Sequence, residues 1–279
     1  MVSKENKKEQ LIRGLSAVII IFVFLLLLLG QSQAQKNGKI DFLFSPKNMK
    51  ANGLDDLRNF DVMSSQAAPG AVILLTKNNL FDVGGKRFLL SKEDKNLQNF
   101  CCASDGTIFT ISGNTLGCLS GGVIEKLITL PASGMKITDG GKERIYIYGG
   151  DAEPNKALYL IEKEKGCKKI CDMPRKILAL AANDDTVYFS VANDIYEIKF
   201  GGKFRLLCRV PGPEITSLAI DNKTDIIYFT AGNALYSRSK DNITFIAENF
   251  GEILKFSNES LYILKPSAGT LIRMSGLSF

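Results

Sequence analysis

Residues 218–236 read LAIDNKTDIIYFTAGNALY, and this stretch contains the pattern that decides the fold. A short apolar run leads through a turn rich in Asp and Asn into Ile227-Tyr228-Phe229, and a second turn leads into Leu235-Tyr236. Short runs rich in β-branched and aromatic residues are typical of β-strands, and Asp, Asn and Gly favour the tight turns between them. The stretch therefore predicts three short antiparallel strands joined by hairpins.

The same motif occurs six times. Its copies begin at residues 35, 37, 42, 40 and 34 positions apart, namely Ile73, Ile108, Ile145, Val187, Ile227 and Leu261. After several copies a pair of glycines opens a fourth strand, as at Gly84-Gly85, Gly121-Gly122 and Gly201-Gly202. Paired glycines supply the positive φ angles of a two-residue hairpin. A four-stranded antiparallel unit repeated six times predicts an all-β protein, a six-bladed β-propeller.

The two ends of the repeat complement each other. The sixth copy ends soon after its third strand, Leu271-Ile272, and residues 37–44 resemble the fourth strands of other copies. We therefore expect the N-terminal strand to complete the last blade, because a closed ring leaves no edge unpaired. The expected organisation is a closing strand and linker over residues 35–58 and the six-bladed propeller over residues 59–279.

Residues 1–34 have the composition of a targeting segment. A basic region precedes the uncharged run of residues 14–30, and the small residues Ser32 and Ala34 follow. This order is typical of a secretory signal peptide. An uncleaved membrane anchor, a single N-terminal transmembrane helix, is the alternative, since the run is about 26 Å long as a helix. Both alternatives predict an extracytoplasmic propeller, either secreted or periplasmic, or attached to the membrane by this segment.

The composition excludes several kinds of chemistry. Histidine is absent, so the chain has no His-assisted nucleophile and no His ligand for zinc. The net charge of +6 is mild and scattered, which argues against nucleic acid as a partner. The sequence predicts no catalytic residue, no metal ligand and no cofactor.

Six cysteines lie in the region expected to be exported, where disulfides can form. No Cys-x-x-Cys motif occurs among them, which argues against zinc or thioredoxin-like chemistry. The favoured interpretation is that they are small buried apolar side chains. If one disulfide forms, the expected pairing is Cys101 or Cys102 with Cys118, within one blade.

The repeated motifs resemble the six-bladed β-propeller superfamily, which includes NHL-like, TolB-like and gluconolactonase-like propellers. The Trp-Asp pair of WD40 repeats is missing, since the chain has no Trp. Gluconolactonase-like propellers hold a divalent cation in the central channel through acidic and amide side chains of the inner strands. In this chain only Asp61 and Asp139 offer carboxylates from the inner strands that we compared, which is a small set for a cation.

The main functional hypothesis is a non-catalytic extracytoplasmic binding or scaffold propeller, whose partner is another protein or an envelope or extracellular ligand. The alternative is a metal-dependent hydrolase or lactonase of the gluconolactonase-like kind. The absence of any nucleophile–base motif favours the first hypothesis.

One loop suggests where a partner would bind. The stretch of residues 149–156 is longer than a hairpin requires. It is either a tolerated insertion without a role or part of a contact surface. In the second case the surface is expected to include the loop's polar residues and two neighbours, namely Asp151, Glu153, Asn155, Asp194 and Glu214.

Overall fold

The computed structural model describes the chain from residue 38 to residue 277. Within this range the residues left undescribed are 53, 55, 67, 143, 150–155, 163–165, 200 and 251. Lys39–Ser275 form one compact unit. The predicted targeting segment lies outside the described residues. Among the residues that are described, no helix is long and apolar enough to cross a membrane.

The described residues form six separate four-stranded antiparallel sheets, which confirms the predicted six-bladed propeller. The chain starts with β1 (Lys39–Phe44) and the short helix α1 (Pro46–Ala51). Blade 1 consists of β2 (Asn59–Val62), β3 (Val72–Leu75), β4 (Leu80–Asp82) and β5 (Arg87–Phe88). Blade 2 consists of β6 (Leu97–Cys102), β7 (Ile108–Ser112), β8 (Thr115–Ser120) and β9 (Val123–Thr129). Blade 3 consists of β10 (Met135–Asp139), β11 (Arg144–Gly149), β12 (Ala157–Glu162) and β13 (Gly166–Asp172).

The second half of the chain continues the same meander. Blade 4 consists of β14 (Ile177–Ala182), β15 (Thr186–Val191), β16 (Asp194–Lys199) and β17 (Phe204–Arg209). Blade 5 consists of β18 (Ile215–Asp221), β19 (Ile226–Ala231), β20 (Ala234–Ser239) and β21 (Asn242–Glu248). Blade 6 consists of β22 (Ile253–Ser257), β23 (Ser260–Lys265), β24 (Thr270–Ser275) and, from the other end of the chain, β1. A single 3-10 turn, Pro266–Ala268, joins β23 to β24.

The first strand of every blade faces the centre of the ring. Each first strand contacts the first strands of both neighbouring blades, from β2 through β6, β10, β14 and β18 to β22 and back to β2. These six strands therefore enclose a central channel, and the fourth strands form the outer edge of the ring.

The N-terminal strand closes the ring, as the sequence predicts. β1 pairs antiparallel with β24, with Asp41 opposite Arg273, and the Arg273 guanidinium donates a 2.7 Å hydrogen bond to the Asp41 carboxylate. Phe44, at the end of β1, is only 3% exposed and packs in the core between blades 6 and 1. The edge of blade 6 is thus covered by the chain itself.

Two local details differ from the sequence-based expectations. The helix α1 was not predicted, because six residues are too few to show a helical period. At Gly84-Gly85 neither glycine has a positive φ, and Lys86 takes it instead at +50°. The paired-glycine prediction is confirmed at Gly121 and Gly122, whose φ angles of +56° and +83° form a two-residue hairpin.

The hydrophobic core lies between the blades. Side chains on the facing surfaces of adjacent sheets interdigitate, as Phe60 and Leu74 of blade 1 do with Tyr262 of blade 6. Fully burying one such side chain contributes about 1.5–3 kcal/mol. Because every blade needs two neighbours to bury both faces, the ring is expected to unfold as one unit.

Replacing Phe44 with Ala should lower the free energy of unfolding by about 3 kcal/mol, since it removes a buried aromatic side chain from the closing strand. Phe42→Ala on the same strand is the matched control, because Phe42 is 61% exposed, and it should cost less than about 1 kcal/mol. Urea unfolding of the full-length chain measures both values. Equal effects of the two substitutions would show that β1 is not an important part of the core.

Candidate functional site

A cavity of about 540 Å³ opens where the first strands end, and we call it the channel mouth. All six first strands contribute to its wall. Its size lies in the range of small-molecule sites, about 300–1,000 Å³. The channel mouth is therefore the candidate functional site.

The sixfold repeat places one residue of each first strand at an equivalent position around the channel. These residues pair, in blade order, with the second-strand residues Ile73, Phe109, Tyr146, Tyr188, Tyr228 and Tyr262. The six residues, in blade order, are Asp61, Cys101, Thr138, Ala181, Ala219 and Lys255. Four of them are small and uncharged, whereas the two charged ones belong to the adjacent blades 1 and 6.

The two charged residues form an ion pair inside the channel. Lys255 Nζ lies 3.5 Å from Asp61 Oδ1, and the side chains are 23% and 10% exposed. Asp61 also accepts hydrogen bonds from the backbone N–H groups of Cys102 (3.0 Å) and Val62 (2.9 Å). Burial alone would lower the pKa of Lys255, but the Asp61 carboxylate and the neighbouring thiols raise it above its usual value. Lys255 is therefore charged at neutral pH.

Asp139 is the second carboxylate of the channel mouth. It ends β10 and is half-buried. Burial raises its pKa to about 6, and the nearby carboxylate of Asp61 adds to the shift, while the Gly141 N–H and Lys255 oppose it. Asp139 therefore exchanges its proton close to neutral pH.

The thiols near the channel are buried and inert. Burial raises the pKa values of Cys101 and Cys102 well above their usual range, and the Asp61 carboxylate raises them further. A thiol that stays protonated is a poor nucleophile. The channel mouth therefore offers no thiolate for covalent catalysis.

The disulfide suggested by the sequence does not fit the geometry of blade 2. All six cysteines are free in the structure. Cys101 and Cys118 are both paired with Phe109, which lies on the strand between them, so they are two strand spacings, about 10 Å, apart. A disulfide requires Cα atoms within about 7 Å, so a bridge from Cys118 to Cys101 or to Cys102 would require the backbone to move.

The rim of the channel mouth is polar, and its charged residues are Asp221, Lys223 and Glu259. Lys223 and Glu259 form an ion pair, and Asn222 and Asn258 lie beside them. Ser257 Oγ is buried and has no hydrogen-bond partner among the described residues. Buried hydroxyls are normally hydrogen-bonded to protein or water, so this one is placed to bond with a bound polar molecule.

The donor set does not fit a divalent cation. A cation site needs several oxygen ligands with a negative net charge, but the Lys255 ammonium already compensates Asp61. In the part of the chain that the structure describes, no group of three or more Cys, Asp or Glu side chains is arranged to hold a metal ion.

The two described residues of the contact surface predicted from the sequence, Asp194 and Glu214, lie at the other end of the ring. Asp151, Glu153 and Asn155 are outside the described residues, so that part stays a prediction. Asp194 forms two hydrogen bonds with the Arg209 guanidinium, at 2.7 and 2.9 Å, and this contact lowers the Asp194 pKa. Glu214 is exposed in the crossing from blade 4 to blade 5.

Sequence reasoning identified Asp61 and Asp139 as inner-strand carboxylates but missed Lys255. The signal was present, since Lys255 is a cation between Leu254 and Phe256 in a short apolar strand. An aligned comparison of all six first strands would have shown it at the position that Asp61 occupies in blade 1.

Comparison with known proteins shows the fold. No protein-family model matches the chain, and no match to a curated protein sequence was found. Many solved structures are similar, 645 chains in all, so the fold is common and says little by itself about function.

Three of these structures have unrelated descriptions. A gluconolactonase from Xanthomonas campestris has a TM-score of 0.66 at 10% identity, over 86% of this chain and 90% of that one. The nidogen/laminin complex contains a chain with a TM-score of 0.57 at 10% identity, over 74% and 86%. Hsv2 of Kluyvelomyces marxianus has a TM-score of 0.53 at 13% identity, over 75% and 73%. At these identities the likeness shows a β-propeller fold and no more.

Replacing Lys255 with Met should destabilise the protein by about 3 kcal/mol at neutral pH, because it leaves the Asp61 carboxylate buried without its counter-ion. Adding Asp61→Asn to this variant should restore most of the loss, as a double-mutant cycle in urea would measure. Lys223→Met is the control, since its ion pair with Glu259 is exposed and such pairs contribute at most about 1 kcal/mol. A neutral effect of Lys255→Met alone would contradict the ion pair's role.

Asp139 should make stability fall as the pH rises from about 4 to about 6. Its pKa in the folded protein is about 6, above the value near 3.9 of an unfolded chain, so the folded state binds the proton more tightly. The expected loss is about 1–2 kcal/mol, allowing for partial exposure. Asp139→Asn should flatten this part of the profile of unfolding free energy against pH, whereas Glu214→Gln should leave it unchanged. An unaltered profile in Asp139→Asn would assign the pH dependence to another group.

Proposed function

We propose that the protein is a non-catalytic, extracytoplasmic binding propeller that takes a small polar ligand at the channel mouth. The observation that carries the proposal is the Lys255–Asp61 ion pair, 3.5 Å apart, inside a cavity of about 540 Å³. The pair presents one cation and one anion side by side. An uncharged polyhydroxyl or a zwitterionic molecule fits this arrangement, because it can interact with the ammonium and with the carboxylate at the same time.

The arrangement supports binding rather than catalysis. The chain has no His, and the thiols at the channel are buried and protonated. Asp139 exchanges its proton near neutral pH, but none of the described contacts places a nucleophile beside it. A general acid or base accelerates hydrolysis only when it lies within hydrogen-bond reach of the reacting group. Asp139 alone is therefore better suited to hold a ligand than to hydrolyse one.

The alternative is a metal-dependent hydrolase or lactonase. The likeness in fold to a gluconolactonase favours it, and the position of two carboxylates in the channel is consistent with it. The Lys255 ammonium argues against it, because a divalent cation beside Asp61 would be repelled by that charge.

The extracytoplasmic location rests on the sequence of residues 1–34 alone. The contact surface that includes Asp151, Glu153, Asn155, Asp194 and Glu214 is a second place where a protein partner would bind. Its described residues, Asp194 and Glu214, lie at the end of the ring opposite the channel mouth, so the two surfaces can be tested separately.

Thermal unfolding of the full-length protein with monosaccharides, amino acids and divalent metals tests these proposals. A polar ligand at about 100 times its Kd stabilises the folded state by about 2.7 kcal/mol, a shift in Tm of several degrees. We expect this from at least one polar molecule, not from Ca²⁺, Mg²⁺, Mn²⁺ or Zn²⁺, and we expect no hydrolysis of a sugar lactone.

The variant Asp61→Asn/Lys255→Met should lose the ligand-induced shift, and Glu214→Gln at the opposite end should keep it. Metal-dependent lactone hydrolysis that disappears in Asp61→Asn would overturn the proposal in favour of the alternative. If the ligand-induced shift in Tm is lost only in Glu214→Gln, the binding site lies at the end of the ring opposite the channel mouth.

A further inference from the structure

A second cavity of about 530 Å³ lies between blades 2 and 3, and we call it the interblade cleft. Its walls are mainly apolar: Phe109, Leu116 and Ile128 come from blade 2, and Ile145 and Ile161 from blade 3. Phe109, Ile128 and Ile161 are only partly buried. The cleft thus leaves part of an apolar surface uncovered.

A comparison with the other blades shows what differs at the cleft. At the position of Phe109, blades 3 to 6 each have a tyrosine, and Tyr146 in blade 3 is 3% exposed. Its partner on the third strand is Leu160, whereas the partner of Phe109 is the smaller Cys118, and both Phe109 and Cys118 are half-buried. A small partner alone does not open a cavity, since Ser237 in blade 5 is only 2% exposed. Between blades 2 and 3, the volume beside Phe109 and Cys118 stays unfilled.

The charges on the cleft are of one sign. Asp105, Asp139 and Glu162 line it, and none of the described lining residues is Lys or Arg. Asp139 faces the carboxylates of Asp61 and Asp105 and the ammonium of Lys255. Its pKa of about 6 shows that its ionised form is poorly compensated by these groups and by the Gly141 N–H. A cation bound in the cleft would supply that compensation.

We propose that the interblade cleft binds a hydrophobic monocation, an amine or quaternary ammonium with an apolar body. The apolar body lies on Phe109, Leu116 and Ile145, and the cationic group lies against Asp105 and Asp139. Burial of the apolar body supplies affinity, and the carboxylates, together with the exposed part of the Phe109 ring, select for positive charge. This site is distinct from the channel mouth, although Asp139 lines both cavities.

A series of ligands with equal chains and different charge tests the proposal. Decyltrimethylammonium, decyldimethylphosphine oxide and decanoate are titrated into the full-length protein by calorimetry, each below its critical micelle concentration. The cation should bind about tenfold more tightly than the neutral ligand, a difference of about 1.4 kcal/mol, and the anion most weakly. Equal affinities, tighter binding of the anion, or no binding of any of the three would overturn the proposal.

Two substitutions locate the site. Cys118→Leu introduces the residue that blade 3 has at this position, so it should fill the cleft and abolish binding of all ligands while the Tm stays the same or rises. Asp139→Asn should reduce the preference for the cation about tenfold and leave binding of the phosphine oxide unchanged. Asp241→Asn is the control, because Asp241 is an exposed carboxylate at the same end of blade 5. Unchanged binding in Cys118→Leu would place the ligand elsewhere and reject the cleft.

The pH dependence adds a third readout. Lowering the pH through about 6 protonates Asp139, so the affinity for decyltrimethylammonium should fall while that for decyldimethylphosphine oxide stays constant. Asp61→Asn/Lys255→Met removes one charge of each sign from the channel mouth and should leave the binding of the cation within about twofold. Loss of cation binding in that variant would mean that the ligand occupies the channel mouth instead.

Discussion

Pairing of β1 with β24 is the interaction on which the rest of the structure depends. A blade of three strands would leave the outer edge of β24 unpaired, and the backbone N–H and C=O groups on that edge would need other partners. The same pairing brings Phe44 into the core between blades 6 and 1. Every blade buries both of its faces only in a closed ring, so the ends of the chain determine whether the cores in the middle are complete.

The backbone repeats six times, but the chemistry does not. The fold offers six equivalent positions around the channel, and four of them carry a small uncharged residue. The two charged residues at these positions are Asp61 and Lys255, which lie where blades 1 and 6 meet. In blade 2, Cys118 stands where blade 3 has Leu160, and the volume beside it is left as a cavity. Function in such a fold resides in the few positions where one blade departs from its repeats.

The sequence predicted the parts of the structure that depend on local patterns. Strand–turn motifs and their spacing gave six blades, and the similarity of residues 37–44 to fourth strands predicted the closing strand. The helix α1 was missed because a helix of six residues leaves no periodic pattern.

The site was only partly predictable. Asp61 and Asp139 were found because inner-strand positions follow from the repeat. The role of Lys255 depends on a residue at the other end of the chain, and a lysine in a strand is usually solvated. The interblade cleft could not be foreseen, because a cavity results from the summed volumes of side chains on two facing sheets. That volume depends on residues that are distant in sequence, so a local sequence pattern does not predict it.

The ion pair in the channel also has a consequence for the order of folding. Asp61 lies in the first blade and Lys255 in the last, so they approach each other only when the two ends of the chain have met. Contacts between residues so distant in sequence carry a large loop-closure entropy and form late. An interaction absent from the folding transition state slows unfolding without speeding folding. We therefore expect the Asp61–Lys255 pair to lower the unfolding rate of the assembled ring and to leave the folding rate nearly unchanged.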